Sequence, residues 1–298
     1  MTTKNQQITK FKGVILFLHG YTQNSSIFYA KTSALRKKIL KLGYKCKYLN
    51  GPYVLQPSDL PTTDSLSKFG SSDNQDVTYR GWWIKNDHTN DSIDLDKSID
   101  SIRNYIENGI LIPDDESQNK EISKESEEDK ELPIVGLIGF SQGASFAGLI
   151  AENFQNLFNT KNPLKFVILY SGFKLDTSKS SKNDKYNSYY DEELNPDLKY
   201  LHVYGELDTV VDEVRSLSLY NITKPKSDLL KHPGGHFVPN SKLYIDQVVN
   251  WIQSVTKDDN EKVTNQPGKG DVNEKKSKLD TKDDIESLLD MMEGFGKA

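Results

Sequence analysis

The pentapeptide Gly139-Phe140-Ser141-Gln142-Gly143 restricts this chain more than any other stretch of it. It directly follows the apolar run Ile134-Val135-Gly136-Leu137-Ile138 and opens a helix-forming segment at Gln142. A chain that leaves a buried strand and enters a helix with no loop between them must turn sharply. The central residue is then forced into a strained backbone conformation, and the residues two before and two after it must be small. The turn lifts the Ser141 hydroxyl above a sheet edge and aims a helix N-terminus at it.

The rest of the sequence supplies the sheet. Short continuous apolar runs at Gly13–Leu18, Ile134–Ile138, Phe166–Tyr170 and Tyr200–Tyr204, with a weaker one at Lys45–Leu49, read as strands buried on both faces. Helical spacing covers Ser26–Leu42 with Gly43 as its stop, Ile99 to Ile106 with Gly109 as its stop, Gln142–Phe158, Val210–Tyr220 and Tyr244–Val255. Alternation of this kind predicts an α/β fold, a mostly parallel twisted sheet with helices on both faces. Chemistry in such sheets gathers at the carboxyl ends of the strands.

A serine hydroxyl is a weak nucleophile without a base beside it. In folds with this strand–turn–helix serine, the acid and then the histidine follow it along the chain. Of five histidines, His19 and His88 precede Ser141. His202 falls inside a strand and reads as a core histidine, and His232 precedes a proline at a strand end. His236 follows Gly234-Gly235 in a tight loop before the last helix, and is the expected base. The acid should follow a strand end, and Val203-Tyr204-Gly205-Glu206-Leu207-Asp208 offers Asp208, with Glu206 as its nearest rival and Asp212 placed inside the next helix. A developing oxyanion needs two N–H donors. The expected ones are those of Gln142 and of Tyr21 in Leu18-His19-Gly20-Tyr21-Thr22-Gln23-Asn24, with Thr22 next in order. His19 is expected to hydrogen-bond that loop. Trp82, Trp83 and Phe237 are candidate pocket walls, although the adjacent tryptophans read equally well as core.

Composition limits what else the chain can be. With 38 basic and 43 acidic residues the net charge is −5, a poor basis for binding nucleic acid. A single cysteine excludes an internal disulfide and a thiolate metal cluster. Met1 to Lys12 lacks the apolar core of a signal peptide, and no apolar run approaches the ~20 residues of a membrane span. The expected location is the cytoplasm, with the nucleus as a second compartment. Residues 114–131 hold nine acidic residues and one apolar one, the signature of a solvated, disordered insertion. The domain is expected to span 1–256. The charged tail 257–298 is expected to be disordered except for a short terminal helix at Ile285, Leu288, Leu289, Met291 and Met292, which could dock on a protein partner.

Taken in order, Leu18 to Asn24, Gly139 to Ala144, Tyr170-Ser171-Gly172-Phe173, Val203-Tyr204-Gly205 with Asp208, and His232-Pro233-Gly234-Gly235-His236-Phe237-Val238-Pro239 resemble the fungal family of serine hydrolases in the α/β-hydrolase superfamily, relatives of the ovarian-cancer-associated hydrolase. The resemblance covers about residues 12–253. It implies a Ser141–Asp208–His236 triad acting on small-molecule carboxylic esters or thioesters through an acyl-enzyme, with no metal or organic cofactor. The rival readings are a non-catalytic binding or scaffold module that uses the insertion and tail as arms, and a lipase or peptidase variant of the same chemistry.

Overall fold

A computed structural model describes residues 11–60, 77–84, 94–114, 131–179, 183–190 and 194–257. Six strands form one parallel sheet: β1 (Gly13–Leu18), β2 (Tyr44–Leu49), β5 (Ile134–Phe140), β6 (Phe166–Tyr170), β7 (Lys199–Gly205) and β8 (Ser227–His232), in the order β2-β1-β5-β6-β7-β8. The direction of strand addition reverses between β1 and β5. At such a switch point the loops after the two strands diverge and leave a crevice at their carboxyl ends. A separate two-stranded antiparallel ribbon joins β3 (Tyr53–Val54) to β4 (Arg80–Gly81).

The period-2 alternation of the strands sorts their side chains into two cores. Leu16, Leu18, Leu137, Val167 and Leu169 pack with Ile99 and Ile102 of α3 (Asp96–Asn108), Phe146 and Leu149 of α4 (Gln142–Ile150), and Leu219 of α6 (Glu213–Thr223). Ile15, Phe17, Ile138, Phe140 and Ile168 face the other way. They pack with Phe28 of α1 (Ser25–Lys31), Leu35 and Ile39 of α2 (Ser33–Lys41), and Val248 and Ile252 of α7 (Lys242–Thr256). Among the described residues no helix is long and apolar enough to cross a membrane.

The helices depart from the sequence expectation in three places. Ser26–Leu42 is not one helix: the chain bends at Thr32, whose hydroxyl lies 2.7 Å from the Phe28 carbonyl and 2.6 Å from the Tyr48 hydroxyl. A short β-branched hydroxyl that bonds back along the helix competes with the regular ladder. The helix from Gln142 ends at Ile150, and the short α5 (Phe154–Phe158) follows a turn. That turn directs Glu152, 5% exposed, inward to the Tyr200 hydroxyl at 2.7 Å and the Lys226 ammonium at 2.9 Å. α6 starts at Glu213 rather than Val210, because Asp212 caps it by accepting the Arg215 N–H.

Glu152 also yields a stability prediction. Burial pushes its carboxyl above the usual range despite the hydrogen bonds from Lys226 and Tyr200. Glu152→Ala removes the carboxylate toward which a buried ammonium and a buried phenol point. The expected loss is about 3–5 kcal/mol of unfolding free energy, read from urea denaturation. A loss under about 1 kcal/mol would show that the pair contributes no more than a surface bridge.

The acidic segment was expected to begin at Asp114, yet Asp114 is anchored: it accepts hydrogen bonds from Ser25, Ser26 and Asn50. The remainder of that expectation, at 115–130, and the tail from 258 onward with its terminal helix lie outside the described residues.

Candidate active site

The turn at Ser141 is built as the spacing requires. β5 runs through Phe140, and Ser141 has φ 52° and ψ −117°, a region that side-chain-bearing residues rarely occupy. Its N–H is held by the Tyr170 carbonyl of β6 at 2.8 Å, and its own carbonyl accepts the Ser145 N–H at 3.0 Å, the first turn of α4. A side chain at Gly143 would be driven into the carbonyls of Leu18 and His19, so only glycine lets α4 start this close to the end of β1.

The histidine loop is fixed against the neighbouring strand end. The Glu206 N–H donates to the His232 carbonyl at 2.8 Å and the Leu207 N–H to the Gly234 carbonyl at 3.0 Å. Gly205 makes this approach possible, since a Cβ there would enter the carbonyl oxygens of Gly234 and Gly235. The loop thereby brings together three side chains from distant parts of the chain. His236 Nε2 lies 3.0 Å from Ser141 Oγ, and His236 Nδ1 lies 2.8 Å from Asp208 Oδ2. A carboxylate only accepts, so Nδ1 carries the proton and Nε2 accepts the serine hydroxyl. All three residues are at most 8% exposed.

Asp208 accepts four hydrogen bonds. Oδ1 takes the N–H groups of Val210 and Val211, each at 2.9 Å; Oδ2 takes His236 and the Ser171 hydroxyl, each at 2.8 Å. Burial raises its carboxyl, but these donors and the facing imidazole outweigh burial and hold it below its ordinary range. Glu206, the rival acid, instead faces Lys231 at 3.4 Å on the surface.

The loop after β1 is equally constrained. His19 is fully buried; its Nδ1–H donates to the Gly20 carbonyl at 2.7 Å and its Nε2 accepts the Gly51 N–H at 3.0 Å. Burial lowers its pKa to about 4, so it is neutral. Thr22 has φ 59°. Of the four non-glycine residues with positive φ among those described, Thr22, Ser141 and Ser171 all follow carboxyl ends of the strands. Strain gathered in this way is characteristic of functional sites.

The tryptophans divide. Trp82 is wholly buried, stacks on Phe146 and donates its indole N–H to the His19 carbonyl at 2.9 Å, so the expectation of a pocket wall is corrected to core. Trp83 is 5% exposed and meets Phe173 edge-on, while Phe237 is 48% exposed beside the His232 ring. Both backbones of the tryptophan pair bind the Gln142 side chain: Oε1 accepts the Trp82 N–H at 2.7 Å, and Nε2 donates to the Trp83 carbonyl at 2.8 Å. The Gln142 N–H is the first amide of α4 and has no acceptor within the helix. His202 is in the core against Thr223, and His232 is buried at the end of β8, as expected for both.

Sequence reasoning placed Ser171 in a family motif without giving it a role, and it missed the role of the Gln142 side chain. Ser171 carried a signal, being the first residue past β6 and next to the strand that delivers Asp208. Nothing local marked Gln142, whose partners lie 59 and 60 positions away.

The model of the family described as "Serine hydrolase (FSH1)" matches residues 9–248. The chain belongs to this serine hydrolase family. "Family of serine hydrolases 3" of Saccharomyces cerevisiae is 35% identical over 300 residues, covering 96% of this chain and 98% of the yeast protein. "Esterase OVCA2" of Danio rerio is 27% identical over 238 residues, covering 76% of this serine hydrolase and 89% of the fish protein. Among solved structures, acyl-protein thioesterase 2 of Zea mays superposes with a TM-score of 0.50 at 17% identity, covering 86% of this chain and 96% of that one. At that identity the likeness speaks for the fold, which is that of an α/β-hydrolase.

Proposed function

We propose that this serine hydrolase cleaves small-molecule acyl esters or thioesters through Ser141, His236 and Asp208. The observation that carries the reading is the unbroken hydrogen-bond chain from Ser141 Oγ through the His236 ring to Asp208 Oδ2. The relatives named esterases agree with it.

In this mechanism Ser141 Oγ attacks the acyl carbonyl carbon while His236 Nε2 takes the hydroxyl proton. Asp208 holds the imidazole with Nδ1–H toward itself and stabilises the imidazolium. The carbonyl π electrons move onto oxygen, where the N–H groups of Gln142 and Tyr21 receive the charge. The tetrahedral intermediate collapses, His236 gives its proton to the departing alcohol or thiol, and the acyl group stays on Ser141. Water then attacks the acyl-enzyme with His236 as base, and the acid leaves. Each step uses only groups of this chain, the substrate and water.

The test is a p-nitrophenyl ester series from acetate to palmitate, run beside acyl thioesters and with fluorophosphonate labelling. Turnover of one class together with labelling at Ser141 supports the reading, and the chain-length profile sizes the pocket. Absence of both turnover and labelling in folded protein rejects it in favour of a binding module.

A further inference from the structure

We propose that Ser171 is a positioning residue for the Asp208–His236 pair, a fourth member of the hydrogen-bond chain. The inference rests on the reading of Ser141 and His236 as nucleophile and base. The Ser171 residue is 1% exposed, and its hydroxyl donates to Asp208 Oδ2 at 2.8 Å, the same oxygen that accepts His236 Nδ1–H. Its backbone is held by its N–H on the Val203 carbonyl at 2.8 Å, in the strand that leads to Asp208. Its φ is 48°, a conformation better suited to glycine. A position that prefers glycine but carries a buried hydroxyl aimed at the triad carboxylate is built for that hydroxyl.

The physical role follows from the geometry of the carboxylate. Rotation about the Cβ–Cγ bond turns both carboxylate oxygens together, so the two backbone N–H donors on Oδ1 and the two donors on Oδ2 set it jointly. Without Ser171 the carboxylate loses one of its four donors and Oδ2 is held by His236 alone, which loosens the carboxylate and the imidazole bonded to it. The residue is buried with its hydroxyl bonded to Asp208, and so acts through the pair rather than on substrate.

Ser171→Gly is the decisive variant, because glycine suits this backbone and the fold should survive. Expected are a folded protein with a Tm near that of wild type, relief of the backbone strain offsetting part of the lost hydrogen bond, and a kcat per labelled site lower by on the order of tenfold, the effect of one hydrogen bond to a charged group. KM should be unchanged, and the low-field proton resonance of His236 Nδ1–H should move. Wild-type kcat with an unmoved resonance would overturn the proposal, as would a fall in Tm with normal kcat per site, which would mark Ser171 as merely structural. Wild-type protein that resists fluorophosphonate would sink the reading of Ser141 instead, and the resonance would still report on Ser171.

Discussion

Ser141→Ala is expected to lower kcat for ester hydrolysis by about 10⁶-fold and to abolish fluorophosphonate labelling, with little change in fold. In the proposed mechanism nucleophile, base and acid act as one unit, so removing the first removes the covalent route entirely. What remains is the binding and oxyanion stabilisation provided by the N–H groups, which acts on water attack alone. The same position tests the strain at the turn. Ser141 holds φ 52° and ψ −117° with its N–H and carbonyl both bound, so alanine inherits the strain and glycine relieves it. Ser141→Gly should therefore be as inactive as Ser141→Ala but more stable than it by about 1 kcal/mol in urea denaturation. Equal stability of the two variants would mean that the turn stores no strain. Retained hydrolysis in either would place the nucleophile elsewhere.

Five of the six sheet strands and the residues of the candidate site were legible because both are written locally, whereas β8 is only partly buried and was not read as a strand. A strand buried on two faces is a run of apolar residues, and the Ser141 turn is a strand, five residues and a helix with no gap. Asp208 and His236 could be found because each follows a strand end, at a glycine that allows close approach. Helix interruptions were not legible in the same way. The bend at Thr32 needs the Tyr48 hydroxyl, and the end of α4 places Glu152 against Tyr200 and Lys226; none of these partners is near in sequence. Residues 82 and 83 illustrate the same limit. Their composition suits a wall or a core, and only the placement of Phe146 and the His19 carbonyl around Trp82 decides for the core. Asp114 reads as one more acid in a charged run, and it takes Ser25 at the start of α1 and Asn50 just past β2 to make it an anchor.

The protein should lose stability steeply below about pH 6, well before the depressed carboxyls of Asp114 and Asp208 titrate. His19 and His202 are buried and neutral, at 0% and 4% exposure. Burial lowers the pKa of His202 to about 3 and that of His19 to about 4, the latter against the partial opposition of the Gly20 carbonyl. In the unfolded chain each would titrate near 6.5. Between those values the unfolded state binds a proton that the folded state does not, so stability rises with pH across the window and is lost as pH falls through it. Each histidine contributes about 1.4 kcal/mol per pH unit, and two of them about 5 kcal/mol by pH 4.5. That is a large share of the ~5–15 kcal/mol that holds a typical domain folded. The depressed carboxyls of Asp114 and Asp208 act in the same direction, but only below the ordinary carboxylate range near pH 4, so the two contributions separate. Urea denaturation at pH 7.0, 6.0, 5.0 and 4.5 measures the slope directly. His202→Gln can keep a hydrogen bond to Thr223 and carries no titrating group, so it should shed about one proton's worth of that slope while His19 retains the other. A flat profile from pH 7 to 5 in the wild type would mean that neither imidazole is held neutral by its burial. The functional consequence lies with His19. Protonating its Nε2 breaks the bond to the Gly51 N–H, and His19 is joined to the loop that carries Tyr21. Acid should thus dismantle the proposed oxyanion side of the site as the fold opens, and activity on a good ester should fall along the same curve as the urea midpoint.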